Sequence, residues 1–319
     1  MTDRERTTRH GHRGGFTLVE MLTVIVIIGI LAGLIVGASI VARNAARRAV
    51  MKTEIGQLTM ALQDYKGEVG EFPPDFAFVN LPAGTAHGDA ARARVVRHVR
   101  KAWPRMTLAG STTNDQFNDF VAKAGVNVSD LTPATAMTFW LGGIADSDGK
   151  PRGFHTDPGN PFKTGEPRNK PYFDFDVTRL VSGQYMPARI VPQAPYVYFR
   201  PVRNTTSGNY EYGDDDGSGN FVPFAFGSGD NICVAYLEDA STIYTAGGDP
   251  DPVLMTDTRK WRAPETYQII SGGLDGEHSS DIEGAGPRPF RVSGYGLGFS
   301  DGDYDNLASF AEGELEDEL

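Results

Sequence analysis

The hydrophobic pattern along the chain changes character twice. From Met21 to Ala42 the run MLTVIVIIGILAGLIVGASIVA has 22 residues without a formal charge. As a helix it rises about 33 Å, enough to cross the hydrocarbon core of a bilayer. Beyond it the sequence turns polar, but Ile55, Leu58, Leu62 and Tyr65 recur at helical spacing, so the helix continues with one apolar stripe. Gly67, Gly70 and Pro73-Pro74 supply stop signals. One helix of about 50 residues, roughly 75 Å long, is therefore expected from Phe16 to near Lys66.

Further along, a basic helical piece is expected from Ala91 to Trp103, with Val95, Val96, Val99 and Trp103 as its only apolar face. Read as chemistry, its arginines could touch anionic lipid or an acidic partner; read as structure, they form a solvated helix face. A short helix is expected over Pro133 to Leu141, with Pro at its first position, Gly142-Gly143 after it, and Met137, Trp140 and Leu141 in the core. From Pro195 onward YVYFRPV, NFVPFAF, NICVAYL and TYQIIS are aromatic and β-branched runs between turn clusters, the pattern of an antiparallel sheet.

Composition narrows the function. The 319 residues carry 30 Lys and Arg against 41 Asp and Glu, a net charge of −11, so a nucleic-acid partner is not expected. The single Cys233 excludes an intrachain disulfide and any cysteine-built metal cluster; it reads as a small buried hydrophobe. No H-E-x-x-H, G-x-S-x-G or P-loop spacing occurs. His87, His98, His155 and His278 read as surface residues, Trp103, Trp140 and Trp261 as core, and the chain is not expected to be an enzyme.

The first fifteen residues are polar, with Arg4, Arg6, Arg9 and Arg13. Basic residues also follow the span at Arg43, Arg47, Arg48 and Lys52, so charge bias alone leaves orientation open. Glu20 is anomalous, because a carboxylate at a membrane helix start needs a cationic partner and none within reach follows it. A cut between Gly15 and Phe16 would create one, since the new ammonium could pair with Glu20 of a neighbouring subunit. Gly29, Gly33 and Gly37 form G-x-x-x-G-x-x-x-G on one face, which suits close helix contact.

Gly14-Gly15 followed by FTLVEMLTVIVIIGILAGLIVG resembles the type IV prepilin signal of pilins and type II secretion pseudopilins. The resemblance covers roughly residues 13 to 43 and extends weakly through ALQDYKGEVGEFPPD, residues 61 to 75, which is similar to the helix end of the major pseudopilin. It implies cleavage after Gly15 by a prepilin peptidase and N-methylation of Phe16. It further implies a single-pass place in the inner membrane with the C-terminal body periplasmic, and assembly with itself and other pseudopilins on an inner-membrane secretion platform. Gly37 stands where many family members have proline.

The resemblance also bears on the acidic loops. As an EF-hand, DGDYDNLASFAE places Asp301, Asp303, Asp305 and Glu312 at positions 1, 3, 5 and 12, but Asn306 replaces the required glycine. YQIISGGLDGEHSSD together with DGDYDNLASF is similar to the C-terminal loop of major pseudopilins, which implies calcium at Asp275, Ser279, Asp303 and Asp305, with IEGAGPRPFRVSGYGLGFS inserted between the halves. Asp214, Asp216 and Ser218 show part of a calcium spacing, but Ala225 stands where the bidentate Glu belongs, so that loop reads as a solvated turn.

The expected fold is α+β. A long N-terminal transmembrane and spine helix packs on a C-terminal antiparallel sheet, pilin-like, with a helical and loop-rich insertion. The expected divisions are a leader at 1–15, the helix at 16–66 with its membrane part at about 16–42, an inserted region at 67–170 and a β-rich body at 171–319. The function that follows is that of a pseudopilin in a type II secretion-like system; a type IV pilin for adhesion, motility or DNA uptake is the alternative. A pilin-helix-anchored surface enzyme or glycan-binding domain is a third reading.

Overall fold

A computed structural model describes residues 17–188, 194–204, 208–215, 221–228, 231–237, 260–278, 288–289, 305–313 and 315. The fold is α+β and pilin-like: a long N-terminal helix, α1 (Leu18–Val69, 52 residues), precedes three shorter helices and a C-terminal region of antiparallel strands. The chain divides into two compact units, Met1–Ala46 and Arg47–Leu319.

In the first unit the helix is apolar all round, and Leu18 to Val41 present their large side chains outward. In the second unit the same helix becomes one-sided. Met51, Glu54, Ile55, Leu58, Ala61, Leu62 and Tyr65 are buried, at the 3- and 4-residue spacing that keeps one face toward a core. The stripe starts one turn earlier than the sequence pattern suggests, at Met51, and it includes a carboxylate. The helix stops at Gly70, whose φ of 86° is left-handed and whose N–H closes on the Lys66 carbonyl.

The turn that follows is pinned from several directions. Tyr198 donates its hydroxyl to the Pro73 carbonyl (2.8 Å) and Trp140 its indole N–H to the Pro74 carbonyl (2.9 Å). Buried Asp75 accepts the backbone N–H groups of Ala77 and Arg200. Phe76 and Phe78 sit at φ 62° and 65°, a region that bulky residues rarely adopt, and both rings point into clusters: Phe76 meets Phe139 and Trp140, and Phe78 meets Phe224. Packing on both sides holds the strained backbone.

Residues 67–170 join the core that buries the α1 stripe. α2 (Ala86–Ala102) starts five residues before the expected Ala91, capped by Thr85, and buries Val95, Val96 and Val99 together with Ala91, Arg92 and His98. It is therefore more than a solvated face. α3 (Thr113–Ala124) falls where only loop is expected; Thr112 and Asp115 form a reciprocal capping box, Gly125 ends it left-handed, and Phe117 and Phe120 are fully buried. α4 (Ala136–Gly142) begins three residues after Pro133, because Thr132 to Thr135 form their own hydroxyl-bonded turn; Met137, Trp140 and Leu141 are buried as expected.

The strands form several small sheets among the described residues. The central one is antiparallel and three-stranded, with Gln268–Ser271 between Val197–Phe199 and Leu307–Ala308. Ala225–Ser228 pairs with Asn231–Val234, and Gly213–Asp215 with Phe221–Pro223, both as antiparallel hairpins. One pair departs from the expected pattern: Tyr236–Leu237 runs parallel to Arg288–Pro289. Cys233 is buried in the cluster beside these strands.

Three of the four histidines expected at the surface are buried. His98 is 1% exposed, and it lies between the Tyr65 hydroxyl (2.8 Å from Nε2) and the Glu71 carboxylate (2.7 Å from Nδ1). Burial lowers the His98 pKa, so the neutral ring donates from Nδ1 to Glu71 and accepts from Tyr65. That hydrogen bond holds Glu71 down at about 2, against its burial and with help from Arg200 and Lys101. His155 and His278 are buried too, the latter within 3.1 Å of the Pro195 carbonyl. Trp103 and Trp140, far apart in sequence, stack with centroids 6.4 Å apart.

Glu54, the charge in the stripe, is met by Arg179 through both guanidinium nitrogens and by the Tyr196 hydroxyl at 2.7 Å, with the Tyr185 hydroxyl at 3.4 Å. The guanidinium also stacks over the Tyr185 ring. Removing one partner leaves a buried charge unanswered, so Arg179→Ala is expected to destabilise the chain by about 3 kcal/mol, and Glu54→Leu with Arg179→Met by less than that, in urea unfolding of detergent-solubilised protein.

Candidate functional site

Two places carry the sequence's functional residues: the first turns of α1 and an acidic loop at the C-terminal end. Gly15 and Phe16 lie outside the described residues. The first turn of the helix itself is built by Thr17 and Glu20. The Thr17 hydroxyl accepts the Glu20 N–H at 3.2 Å, and the Glu20 carboxylate accepts the Thr17 N–H at 2.9 Å and its hydroxyl at 2.8 Å. This is a capping box, T-x-x-E, which satisfies two of the helix's unpaired N-terminal donors. Glu20 thus has a partner within its own chain, which the charge argument from the sequence overlooks although the spacing of Thr17 and Glu20 carries the signal.

Above this turn the helix is the one described element long and apolar enough to cross a membrane. None of the residues in its most apolar stretch is buried, and an added Cβ at Gly29, Gly33 or Gly37 would meet nothing within 4 Å. The glycine face is open. Ser39 and Thr23 spend their hydroxyls on carbonyls one turn back, as polar groups in such helices do.

Residues 11–36 match the prokaryotic N-terminal methylation motif. The chain carries a prepilin-like motif across the start of α1. That motif marks type IV pilin-like and pseudopilin proteins, implies processing by a prepilin peptidase and assembly into pilus-like filaments, and accords with membrane anchoring by α1. No curated protein and no solved structure matches the chain.

In the second place, the chain brings Asp275 and Asp305 together from positions thirty residues apart. One oxygen of Asp305 accepts the backbone N–H groups of Leu274 (2.6 Å) and Asp275 (3.1 Å), while its other oxygen, Oδ1, is buried without a donor among the described residues. Gly273, at φ 54°, allows this approach: a Cβ there would come within 2.2 Å of that same oxygen. Asp275 accepts the N–H of Glu277 at 2.8 Å.

Burial and the neighbouring Asp305 charge push the Asp275 carboxyl up to about 6, and burial raises Asp305 against the pull of its two N–H donors and of Arg48. Two carboxylates that resist ionising, one with an idle buried oxygen, fit a site for a hard cation. They are two ligands of the six to eight oxygens that calcium takes. Ser279 and Asp303, the other expected ligands, lie outside the described residues, and among the described residues no group of three or more His, Cys, Asp or Glu is placed to hold a metal.

Three described acids of the other acidic loops, Asp146, Asp148 and Asp214, are answered by arginine. Asp146 pairs with Arg152 (2.6 Å) and Arg168 (2.9 Å), and Asp148 with Arg152 (2.8 Å). Asp214, expected in a solvated turn, forms a 2.7 Å ion pair with Arg94; Asp216 and Ser218 lie outside the described residues.

In the absence of a cation, the folded Asp275 carboxyl holds its proton to about 6 where the unfolded one releases it near 3.8, so stability falls as pH rises through that window and stays low above it. Asp275→Asn is expected to flatten this fall, read as the difference in urea midpoint between pH 4 and pH 7 in chelator.

Proposed function

We propose that the chain is a pseudopilin: a structural, non-catalytic subunit of a type II secretion-like system. It is cut after Gly15, N-methylated on Phe16 and assembled with itself and other pseudopilins into a fibre on an inner-membrane platform, with its body in the periplasm. The observation that carries this reading is the methylation motif running into an apolar helix whose entire circumference is uncovered. In the bilayer lipid covers that helix; in a fibre, neighbouring helices do, with Gly29, Gly33 and Gly37 letting backbones approach. The lone Cys233 and the paired acids Asp275 and Asp305 favour a pseudopilin over a disulfide-closed pilin.

In this reading Glu20 has two tasks in succession, capping its own helix and then pairing with the Phe16 ammonium of the next subunit. Glu20→Gln separates them, because an amide oxygen still accepts the Thr17 N–H but carries no charge. Intact-mass analysis of membrane-extracted protein is expected to give a methylated Phe16 start for both wild type and Glu20→Gln, with only wild type entering the sheared fibre fraction. An unprocessed Met1 start in wild type defeats the reading, and normal assembly of Glu20→Gln defeats the charge pairing.

Calcium is the cation proposed for the acidic loop, held by Asp275 and Asp305 with Ser279 and Asp303 as further ligands. When bound it would offset the mutual repulsion of the two acids and tie the 272–278 turn to the segment at 305–308. Calcium is expected to raise the melting temperature by several degrees, for roughly 1 to 3 kcal/mol of binding free energy, and EDTA to reverse it. Asp305→Asn should leave no response; an unchanged melting temperature in wild type removes calcium.

A further inference from the structure

Against the acidic character of the chain, four arginines gather around one cleft of about 660 Å³ in the second unit. Arg94 and Arg97 come from α2, Arg200 follows the strand Val197–Phe199, and Arg203 lies in the short strand Val202–Arg203. The size lies within the range of clefts that hold organic ligands. Its floor has a particular composition: Ala86, Ala90 and Ala93 occupy one stripe of α2, at four- and three-residue spacing, and Arg97 continues that stripe. An exposed helix face would ordinarily carry long polar side chains; here alanines leave a trough where another chain's backbone can lie.

The four cations are unequal. Arg94 is committed to Asp214 at 2.7 Å and stacks on Phe224, although its Nη2 is buried without an acceptor among the described residues. Arg200 donates to the Phe72 carbonyl and lies 3.5 Å from Glu71. The acids of the cleft are thereby spoken for: Asp214 by Arg94, Glu71 by His98, Lys101 and Arg200, and Asp75 by two backbone N–H groups beneath the surface. Arg97 and Arg203 are different. Both are exposed; among the described residues Arg97 makes no hydrogen bond or ion pair and Arg203 uses only its Nε, on the Gly208 carbonyl at 3.2 Å. Two guanidinium groups with free terminal nitrogens, Arg97 from α2 and Arg203 from the strand Val202–Arg203, therefore line a cleft whose α2 side is alanine.

We propose that this cleft binds an acidic peptide segment of a partner protein, whose carboxylates pair with Arg97 and Arg203 while its backbone lies on the alanine stripe of α2. Guanidinium forks match carboxylates in pairs of parallel hydrogen bonds. A compact inorganic anion would use the arginines but not the alanine stripe, and the three fixed acids weaken binding of an anion too small to meet both Arg97 and Arg203. The site is independent of the assembly reading, because it is complete within one chain.

The test uses full-length protein in detergent, unassembled, with fluorescently labelled hexaglutamate followed by anisotropy. Wild type is expected to bind hexaglutamate and not hexaglutamine. Arg97→Gln with Arg203→Gln is expected to weaken binding about tenfold or more at an unchanged melting temperature, the loss of two charge-assisted contacts at a rim. Ala90→Trp, on the exposed stripe, should block the peptide by filling the trough. No hexaglutamate binding by wild type, or equal binding by the double variant, overturns the site. Displacement of the peptide by pyrophosphate at lower concentration than by unlabelled hexaglutamate, with Ala90→Trp indifferent, overturns the peptide class in favour of a small anion.

Discussion

The ion pair between Glu54 and Arg179 is the constraint on which the second unit depends. A carboxylate on the buried stripe of a helix costs several kcal/mol unless it is met by charge and hydrogen bonds. The donors that meet it, Arg179, Tyr185 and Tyr196, lie more than a hundred residues later. Apolar contacts at Leu58 and Leu62 would tolerate a shift along the helix; a bidentate pair backed by two hydroxyls does not. The same device recurs one helix end further on, where Glu71 and Asp75 gather His98, Arg200 and the Ala77 backbone. Polar cross-links set the register, and the aromatic core around Trp140 supplies the bulk of the burial.

One helix thus works under two rules. Up to about Ala42 its surroundings must be apolar on every side, so composition alone governs it. From Met51 onward only one face is covered, and the identity of each residue on that face matters. The sheet packed against that face is small, three short strands closed by Leu307–Ala308, and the loop carrying Asp305 ties that last strand back to the 272–278 turn. The acidic loop therefore bears on the fold as much as on any cation.

How much of this was legible follows from how local each signal is. The apolar first half of α1 is legible because 22 residues run without a charge, and its later stripe because the 3- and 4-residue spacing repeats over several turns. α3 was missed because its apolar content, Phe117, Phe120 and Val121, is thin; the Thr112 and Asp115 capping box with Gly125 behind it was the available signal. The capping role of Glu20 is encoded locally, in the T-x-x-E spacing from Thr17. The buried histidines were not legible, since His98 owes its place to Tyr65 and Glu71 from another segment, a pairing no spacing encodes. Asp275 and Asp305 were reachable through family resemblance, whereas the meeting of α2's arginines with Arg200 and Arg203 belongs to tertiary structure alone.

The uncovered apolar helix has a thermodynamic corollary. Passing from lipid into a bundle of sister helices exchanges one oily neighbour for another, so little surface is withdrawn from water and the hydrophobic effect is nearly indifferent to the exchange. In the fibre proposed above, the drive would come instead from close packing at Gly29, Gly33 and Gly37, from pairing of Glu20 with the next subunit and from contacts between bodies. On that proposal, a subunit's apolar helix is as well covered in the bilayer as in the fibre, so exchange between the two carries no hydrophobic penalty in either direction.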